Sequence, residues 1–177
     1  MKGLIFITVM RSLKTEIAIV FGVIALLCLL PVLTVVALAG SSPISTTGTI
    51  YNGPLDTKDT YDFGNCTYWV SLLRAKIKDP IPNTWGNAAT WASRAQLDGY
   101  VVNHIPSYSA IMQTANVDHG LGHVAFVESV DPKTGSWTIS EMNVLGWDVV
   151  DTRTLSAISA QSFYFIHQRV GTLPPAL

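Results

Sequence analysis

The chain has 177 residues, with 11 Lys and Arg against 12 Asp and Glu and a formal net charge of -1. An apolar N-terminal run takes up part of this length, which leaves room for one compact domain of about 110 to 130 residues. Because binding to phosphates requires a basic surface, this charge balance disfavours a nucleic-acid partner.

The N-terminal part contains a long run without charge, IAIVFGVIALLCLLPVLTVVALAG, at residues 17–40. At a rise of about 1.5 Å per residue, such a helix crosses a hydrocarbon core of about 30 Å. The basic residues that precede it are Lys2, Arg11 and Lys14. The positive-inside rule therefore places residues 1–16 in the cytoplasm and the chain after Gly40 outside the cell membrane. The sequence predicts a single-pass anchor with an extracytoplasmic domain.

A cleavable signal peptide is the alternative interpretation of this segment. Ala37-Leu38-Ala39 has the small-x-small form of a cleavage site, and cleavage near Ala39 would give a secreted protein. The apolar run is longer than the roughly 7 to 15 apolar residues that are usual in such signals. This length favours the uncleaved anchor. Residues 41–60 are rich in Ser, Thr, Gly and Pro, which predicts a flexible linker.

The domain that follows, residues 61–170, begins with two predicted helices. Apolar residues recur at helical spacing after Cys66, which places Cys66 in the first turn of the first helix. The alanine-rich run 87–97 predicts the second helix, with Asn87 as its N-cap and Asp98-Gly99 after its end.

From Tyr100 onward the sequence changes to short alternating runs that are typical of β-strands. The turn-forming run 131–135 predicts the loop of a hairpin. Helices followed by strands indicate an α+β domain with the helices packed on one side of an antiparallel sheet. Residues 171–177 form a C-terminal tail. The predicted strands include residues 110–112, 123–130, 137–142, 147–150 and 163–167.

Cys66 is the sole cysteine of this domain, because the other cysteine, Cys28, lies within the apolar run. A disulfide within the domain is therefore excluded. An unpaired thiol in an exported domain is exposed to oxidation, so its presence calls for a reason. Two interpretations stay open from the thiol alone, a buried small hydrophobe and a reactive nucleophile.

Glu141 and His123 are candidate partners of this thiol. The period-2 rule puts Glu141 on the same face as Trp137 and Ile139, where a carboxylate needs a partner unless it turns to solvent at the strand end. A hairpin brings the His123 end of the preceding strand close to Glu141. We expect Glu141 to hold Nδ1-H of His123, which leaves Nε2 for proton transfer with Cys66.

Four motifs in chain order resemble those of the CHAP domains, the cysteine and histidine dependent amidohydrolases and peptidases. The resemblance spans about residues 61–168 and implies a papain-like α+β fold. The segment 106–112 departs from the Pro-x-x-Gly that the family usually shows before its histidine. The motifs are Gly64-Asn65-Cys66-Thr67-Tyr68-Trp69-Val70, Trp85-Gly86-Asn87-Ala88 with Trp91-Ala92, Gly122-His123-Val124-Ala125-Phe126-Val127-Glu128 and Ile139-Ser140-Glu141-Met142-Asn143.

The resemblance implies that Cys66 is the nucleophile, His123 the base and Glu141 the third member, with Asn143 as a supporting polar group. It implies peptidoglycan as substrate, cut in stem peptides, in cross-bridges or between muramic acid and L-alanine. Amidase and endopeptidase activities both stay open. Residues 114–122 form a loop that either lines substrate or is a solvated connector.

Other classes of function have less support. Asp118, His119 and His123 are near in sequence, but Gly120 and Gly122 disfavour the helix that would bring two histidines to one metal. We expect neither a metal nor a cofactor. The alternative function is a non-catalytic wall-binding or scaffold module of a secretion or conjugation apparatus, anchored by the N-terminal helix. Pure binding gives no reason to combine a thiol, an imidazole and a buried carboxylate.

Overall fold

The computed structural model describes residues 48–56 and 58–171. The predicted anchor or signal peptide at residues 17–40 lies outside the described residues, as do residues 1–16, the start of the linker and residues 172–177. Within the described part of the chain, no helix combines the length and the apolar character needed to cross a membrane.

The described residues form one sheet of seven antiparallel strands. The strands are β1 (Thr49–Ile50), β2 (Tyr100–Asn103), β3 (Ile111–Thr114), β4 (His123–Val130), β5 (Trp137–Met142), β6 (Val149–Leu155) and β7 (Tyr164–Arg169). Their order across the sheet is β1-β6-β5-β4-β3-β7-β2. Strand β4 is central and begins at His123. The imidazole therefore lies where the ends of the strands meet, with β5 on one side and β3 on the other.

Two α-helices, α1 (Cys66–Lys76) and α2 (Trp91–Leu97), pack on one face of this sheet. Val70 of α1 and Trp91 of α2 belong to the same buried cluster as Val124 and Phe126 of β4. The described residues also contain three short 3-10 helices, at Ala88–Thr90, Asp118–Gly120 and Ala157–Ser162. The predicted α+β class, with its helices on one side of an antiparallel sheet, is confirmed.

The opposite face of the sheet is also buried. Trp137, Ile139 and Phe165 form its core, and Ala160 of the last 3-10 helix packs against them. Burial on both faces explains Ser140, which the period-2 pattern placed opposite the apolar side. Its hydroxyl is buried because α1 covers that face, where it accepts a hydrogen bond from Trp69 Nε1 at 3.0 Å.

Arg74 fixes α1 against the sheet. Its side chain is fully buried, and it forms an ion pair with Asp79 at 2.5 Å. The guanidinium also donates hydrogen bonds to the backbone oxygens of Asp79, Ser109 and His167 at 3.0 to 3.4 Å. A buried cation requires such compensation, and here the partners come from three separate segments. The helix that carries Cys66 is thereby held at its far end.

The predicted bounds agree with the structure where the apolar pattern was strong. Strands β4 and β5 occupy the predicted residues. The second predicted helix is split, because residues 88–90 are 3-10 and the side chain of Asn87 makes no capping hydrogen bond. Strand β6 was predicted at 147–150 but runs over Val149–Leu155. Its second half alternates polar residues of both charges, so the apolar pattern ended too early.

Candidate active site

Cys66 is the first residue of α1, and its thiol is free and half-buried. Asn65 occupies the N-cap position with an extended backbone, and its carbonyl accepts the first helical hydrogen bond from Trp69 N at 3.1 Å. The first N–H groups of a helix have no acceptor within the helix, and they carry the positive end of the helix dipole. Cys66 thus occupies a position at which a helix favours negative charge.

His123 is placed by the sheet and by the glycine before it. The strand register pairs His123 with Thr114 of β3. Gly122 has a φ of +78°, and a methyl group there would lie 2.6 Å from Ala89 Cα and 2.8 Å from Thr114 O. The chain passes so close to Ala89 that only glycine fits, and this close approach fixes the start of the strand that carries His123.

The imidazole of His123 joins Glu141 through Nε2, which lies 2.7 Å from Oε2 of the carboxylate. Cys66 also interacts with this ring, and because Nε2 faces Glu141, the nitrogen that remains for the thiol is Nδ1. The predicted use of the two ring nitrogens was therefore wrong. Ser140 pairs with Phe126, so Glu141 lies about two positions along β4 from His123, and the far end of the ring has to reach it.

The pKa of His123 depends on its contacts with both Glu141 and Cys66. Burial lowers the pKa, but hydrogen bonds to Cys66 and Glu141 and the charges of both groups outweigh burial and raise it to about 9. The imidazole is therefore a cation at neutral pH. A cationic imidazole beside a cysteine at a helix N-terminus is the arrangement that cysteine nucleophiles use.

Glu141 is fully buried, as its place on the apolar side of β5 predicted. Burial of an unpaired carboxylate costs on the order of several kcal/mol. Glu141 avoids this cost because it has two cationic partners. The second partner, Arg153, was missed by sequence reasoning. Its Nε lies 2.6 Å from Oε1 of Glu141 as an ion-pair contact without hydrogen-bond geometry, while its Nη2 donates to Oε2 at 3.2 Å.

Arg153 lies in the half of β6 that the apolar pattern did not predict. It pairs with Ile139 across the strands, two positions from the partner of Glu141, and so lies on the same face. If the predicted strand is extended beyond Val150, the period-2 rule places Arg153 on the same face as Asp151. A cationic residue on a strand next to β5 is the signal in the sequence that could have indicated a partner for Glu141.

Asn143 contacts a different part of the site from the one implied by its place near Glu141. Its Nδ2 donates to Oδ1 of Asn65 at 2.9 Å, and its backbone has a φ of +69°. Asparagine adopts this left-handed region more readily than most residues. Asn143 therefore links the end of β5 to the residue that precedes Cys66.

Two cavities meet at Cys66, with volumes of about 300 Å³ and 490 Å³. The smaller one extends towards Asp62 and Asn87, and the larger one towards Val144 and Phe163. The residues that line both are Asn65, Cys66, Asp118 and Gly122. The thiol thus lies within a groove that continues on either side of it, as an extended substrate requires.

The loop before β4 forms part of the wall of this groove. Thr114, Val117 and Asp118 line the larger cavity together with Gly122. Residues 114–122 were predicted either to line substrate or to form a solvated connector, and part of this loop borders the groove. Within the described residues, no cluster of three His, Cys, Asp or Glu side chains is arranged to hold a metal ion.

His104 and His167 line neither cavity, and both have structural partners. His104 Nδ1 is 2.6 Å from Phe163 O. His167 contacts Ser107 Oγ and Asn103 Oδ1 at 3.0 and 2.9 Å. Burial and the charge of Arg74 lower the pKa of His167, which is the reverse of the shift at His123.

Comparison with known proteins gives the same picture. Residues 56–143 match the sequence profile of the CHAP domain. The chain is 43% identical over 128 residues to staphylococcal secretory antigen SsaA of Staphylococcus aureus strain NCTC 8325 / PS 47, which covers 72% of this chain and 48% of that protein. It is 42% identical over 127 residues to secretory antigen ssaA2 of the same strain, covering 71% of this chain and 45% of that protein.

One solved structure is also similar. It is an N-acetylmuramoyl-L-alanine amidase from Staphylococcus aureus, with 33% sequence identity and a TM-score of 0.57. The match covers 63% of this chain and 34% of the amidase. The chain thus spans about half the length of the secretory antigens and matches a third of the amidase.

Proposed function

Because the chain belongs to the CHAP domain family, we propose that it is a cysteine hydrolase that cleaves an amide bond of peptidoglycan. The observation that carries this proposal is the position of His123. Its ring lies between the Cys66 thiol at a helix N-terminus and a fully buried Glu141. A nucleophile, a base and a group that orients the base are the elements of acyl transfer.

The residues have separate roles in the proposed reaction. The Cys66 thiolate attacks the carbonyl carbon of the substrate amide, and the negative charge moves to the carbonyl oxygen. Backbone N–H groups at the start of α1 have no acceptor within the helix, and in this proposal they donate hydrogen bonds to that oxygen. The His123 imidazolium then gives its Nδ1 proton to the leaving nitrogen, and the C–N bond breaks. Glu141 holds Nε2 throughout, so the ring keeps its orientation.

The acyl group then remains on Cys66 until water removes it. Neutral His123 takes a proton from that water at Nδ1, and the oxygen attacks the thioester carbon. The carbon–sulfur bond breaks, and the thiolate and imidazolium are restored. The same nitrogen, Nδ1, thus gives a proton in the first half of the proposed reaction and takes one in the second.

Peptidoglycan is proposed as the substrate for two reasons. The similar solved structure is of an amidase that acts on the N-acetylmuramoyl-L-alanine bond, and the groove here extends on both sides of Cys66. One side of the groove is rich in Asn and Asp side chains, which suit the amides and amines of a peptide. This groove is compatible with two activities, that of an amidase and that of an endopeptidase that cuts stem peptides or cross-bridges.

We also propose that residues 17–40 anchor the domain at the outer face of the cell membrane. The uncharged run in the sequence supports this proposal. A tether raises the concentration of the domain near the wall, which removes the need for tight binding to substrate. Fractionation of producing cells would test it: the full chain is expected in the membrane fraction after a high-salt wash, and a shortened chain in the medium contradicts it.

The hydrolase proposal is tested with purified peptidoglycan. The full chain and its Cys66→Ala variant are incubated with the same wall preparation, and the released fragments are identified by mass spectrometry. Products are expected with intact Cys66 only. New L-alanine amino termini on released stem peptides identify an amidase, and other new termini identify an endopeptidase. Equal release by the two proteins, or no release from walls of several chemotypes, contradicts the proposal.

A further inference from the structure

Arg153 lies in the wall of the groove that contains Cys66. The proposed reaction assigns roles to Cys66, His123 and Glu141 but none to Arg153. It borders the larger cavity together with Cys66, His123 and Asn143. Its side chain is 25% exposed, whereas the carboxylate that it contacts is fully buried. The guanidinium therefore joins the groove to a buried anion.

Arg153 and His123 share Glu141. Nε2 of His123 is 2.7 Å from Oε2, and Nη2 of Arg153 donates to the same oxygen at 3.2 Å. Nε of Arg153 approaches the other oxygen, Oε1, at 2.6 Å. The carboxylate is thus held on both of its oxygens, and its orientation towards the imidazole is fixed. A single partner would leave it free to rotate about its last bond.

Cys66, His123 and Glu141 form a cluster whose charges sum to zero only when Arg153 is included. In the attacking state Cys66 and Glu141 are negative and His123 is positive, which leaves an excess of one negative charge in a largely buried place. Arginine stays protonated in proteins, so Arg153 supplies the missing positive charge. Among the described residues that line the two cavities, Arg153 is the sole Arg or Lys.

The surrounding side chains increase this need. Asp151 of β6 pairs directly with Glu141 across the strands. The loop before β4 contributes Asp118 and one exposed histidine, His119. Other acidic groups on neighbouring elements include Asp62 before α1, Glu128 on β4 and Asp148 in the β5–β6 turn. Among the residues named here, the acidic ones outnumber Arg153, the one permanent cation.

We propose that Arg153 is a positioning residue: it neutralises and orients Glu141, and thereby keeps the Cys66 thiolate and the His123 imidazolium together at lower pH. This inference rests on the proposed function only for its role in catalysis. Loss of the guanidinium leaves the cluster with an excess negative charge. The cluster then takes up a proton more readily, and the thiolate is lost at a higher pH.

The test measures the thiol directly and needs no substrate. The rate at which iodoacetamide alkylates Cys66 in the full chain is followed against pH, with the modified Cys66 peptide quantified by mass spectrometry. In Arg153→Met the acid midpoint of this rate is expected to rise by about one pH unit. Arg153→Lys keeps the charge and is expected to restore the midpoint. Arg94→Met, the same change on the exposed face of α2, serves as the matched control.

Two further variants separate this role from a purely structural one. Arg153→Gln keeps a hydrogen-bond donor for Glu141 but no charge, so it is expected to show the same shift if Arg153→Met fails to fold. In a Glu141→Gln background, Arg153→Met is expected to produce a smaller shift, because the anion it neutralises is gone. Lost activity with an unchanged midpoint in both neutral variants overturns the inference.

Hydrolysis of peptidoglycan is measured separately on the same proteins. A shifted midpoint in a chain that releases no wall fragments would overturn the proposed function and leave the role of Arg153 at the thiol intact. Release of fragments with an unshifted midpoint in Arg153→Met and Arg153→Gln would do the opposite. The two proposals therefore fail in different measurements.

Discussion

Nε2 of His123 lies 2.7 Å from Oε2 of Glu141, so the nitrogen left for Cys66 is Nδ1. A buried anion holds the ring at Nε2, the end farther from its own backbone. In the proposed reaction, proton transfer therefore takes place at Nδ1, the nitrogen nearer to β4.

Glu141→Gln tests the electrostatic part of this contact. Replacing the carboxylate with a neutral amide removes one of the groups that raise the pKa of His123, so that pKa is expected to fall clearly below about 9. Hydrolysis is expected to drop by about 10²-fold or more, because the ring loses its orientation and its charge. An NMR titration of the His123 ring measures the first effect. A ring that titrates as in the wild type would contradict the role given to Glu141.

The stability of the domain is expected to depend on pH through His123. Its pKa is raised in the folded state, so its contribution to the free energy of unfolding is fully present below about pH 6.5 and is lost as the pH rises through about 9. Urea unfolding at several pH values between these limits measures the loss. The difference in stability between wild type and His123→Gln should shrink over this window, and a constant difference would show that His123 does not titrate there.

Asn143→Gly tests the link between β5 and the start of α1. Glycine accepts the φ of +69° without strain, so this change removes the amide that contacts Asn65 and leaves the backbone turn in place. One lost hydrogen bond of about 1 kcal/mol predicts a decrease in hydrolysis of roughly fivefold. Steady-state assays on wall fragments measure it. Asn143→Ala should be worse, because alanine is strained at this φ, and equal rates for the two variants would argue against the backbone explanation.

Gly122→Ala tests the close approach that places His123. The added methyl group would overlap the backbone of Ala89 and lie 2.8 Å from Thr114 O, so the start of β4 has to shift. We expect a loss of stability of about 3 kcal/mol or more, together with loss of activity. The matched control is Gly120→Ala, which has a φ of +87° and nothing within 4 Å of the new methyl group.

Thermal unfolding of the two glycine variants separates strain from overlap. Gly120→Ala should cost only the conformational penalty of about 1 to 2 kcal/mol and keep most of the activity. Similar losses for both variants would mean that φ alone explains the glycine at position 122. A much larger loss for Gly122→Ala supports contact with Ala89 as the feature that positions the histidine.

The sequence by itself determined the elements with a strong pattern. The apolar runs of β4 and β5 predicted their bounds, since burial on one face or both requires continuous or alternating apolar residues. The helical spacing after Cys66 predicted that the cysteine begins a helix. Glu141 on an apolar face predicted a buried carboxylate near His123, because an unpaired charge there is too costly.

Tertiary structure alone decided which atoms meet. The ring nitrogen that faces Glu141 depends on the register of β4 against β5, and no local pattern encodes that register. Arg153 reaches Glu141 because β6 pairs with β5 far beyond its apolar start, and Asn143 turns to Asn65 because its backbone is left-handed. Sequence patterns report which side chains must be buried, whereas contacts between charged and polar groups depend on distances across strands that only the folded chain sets.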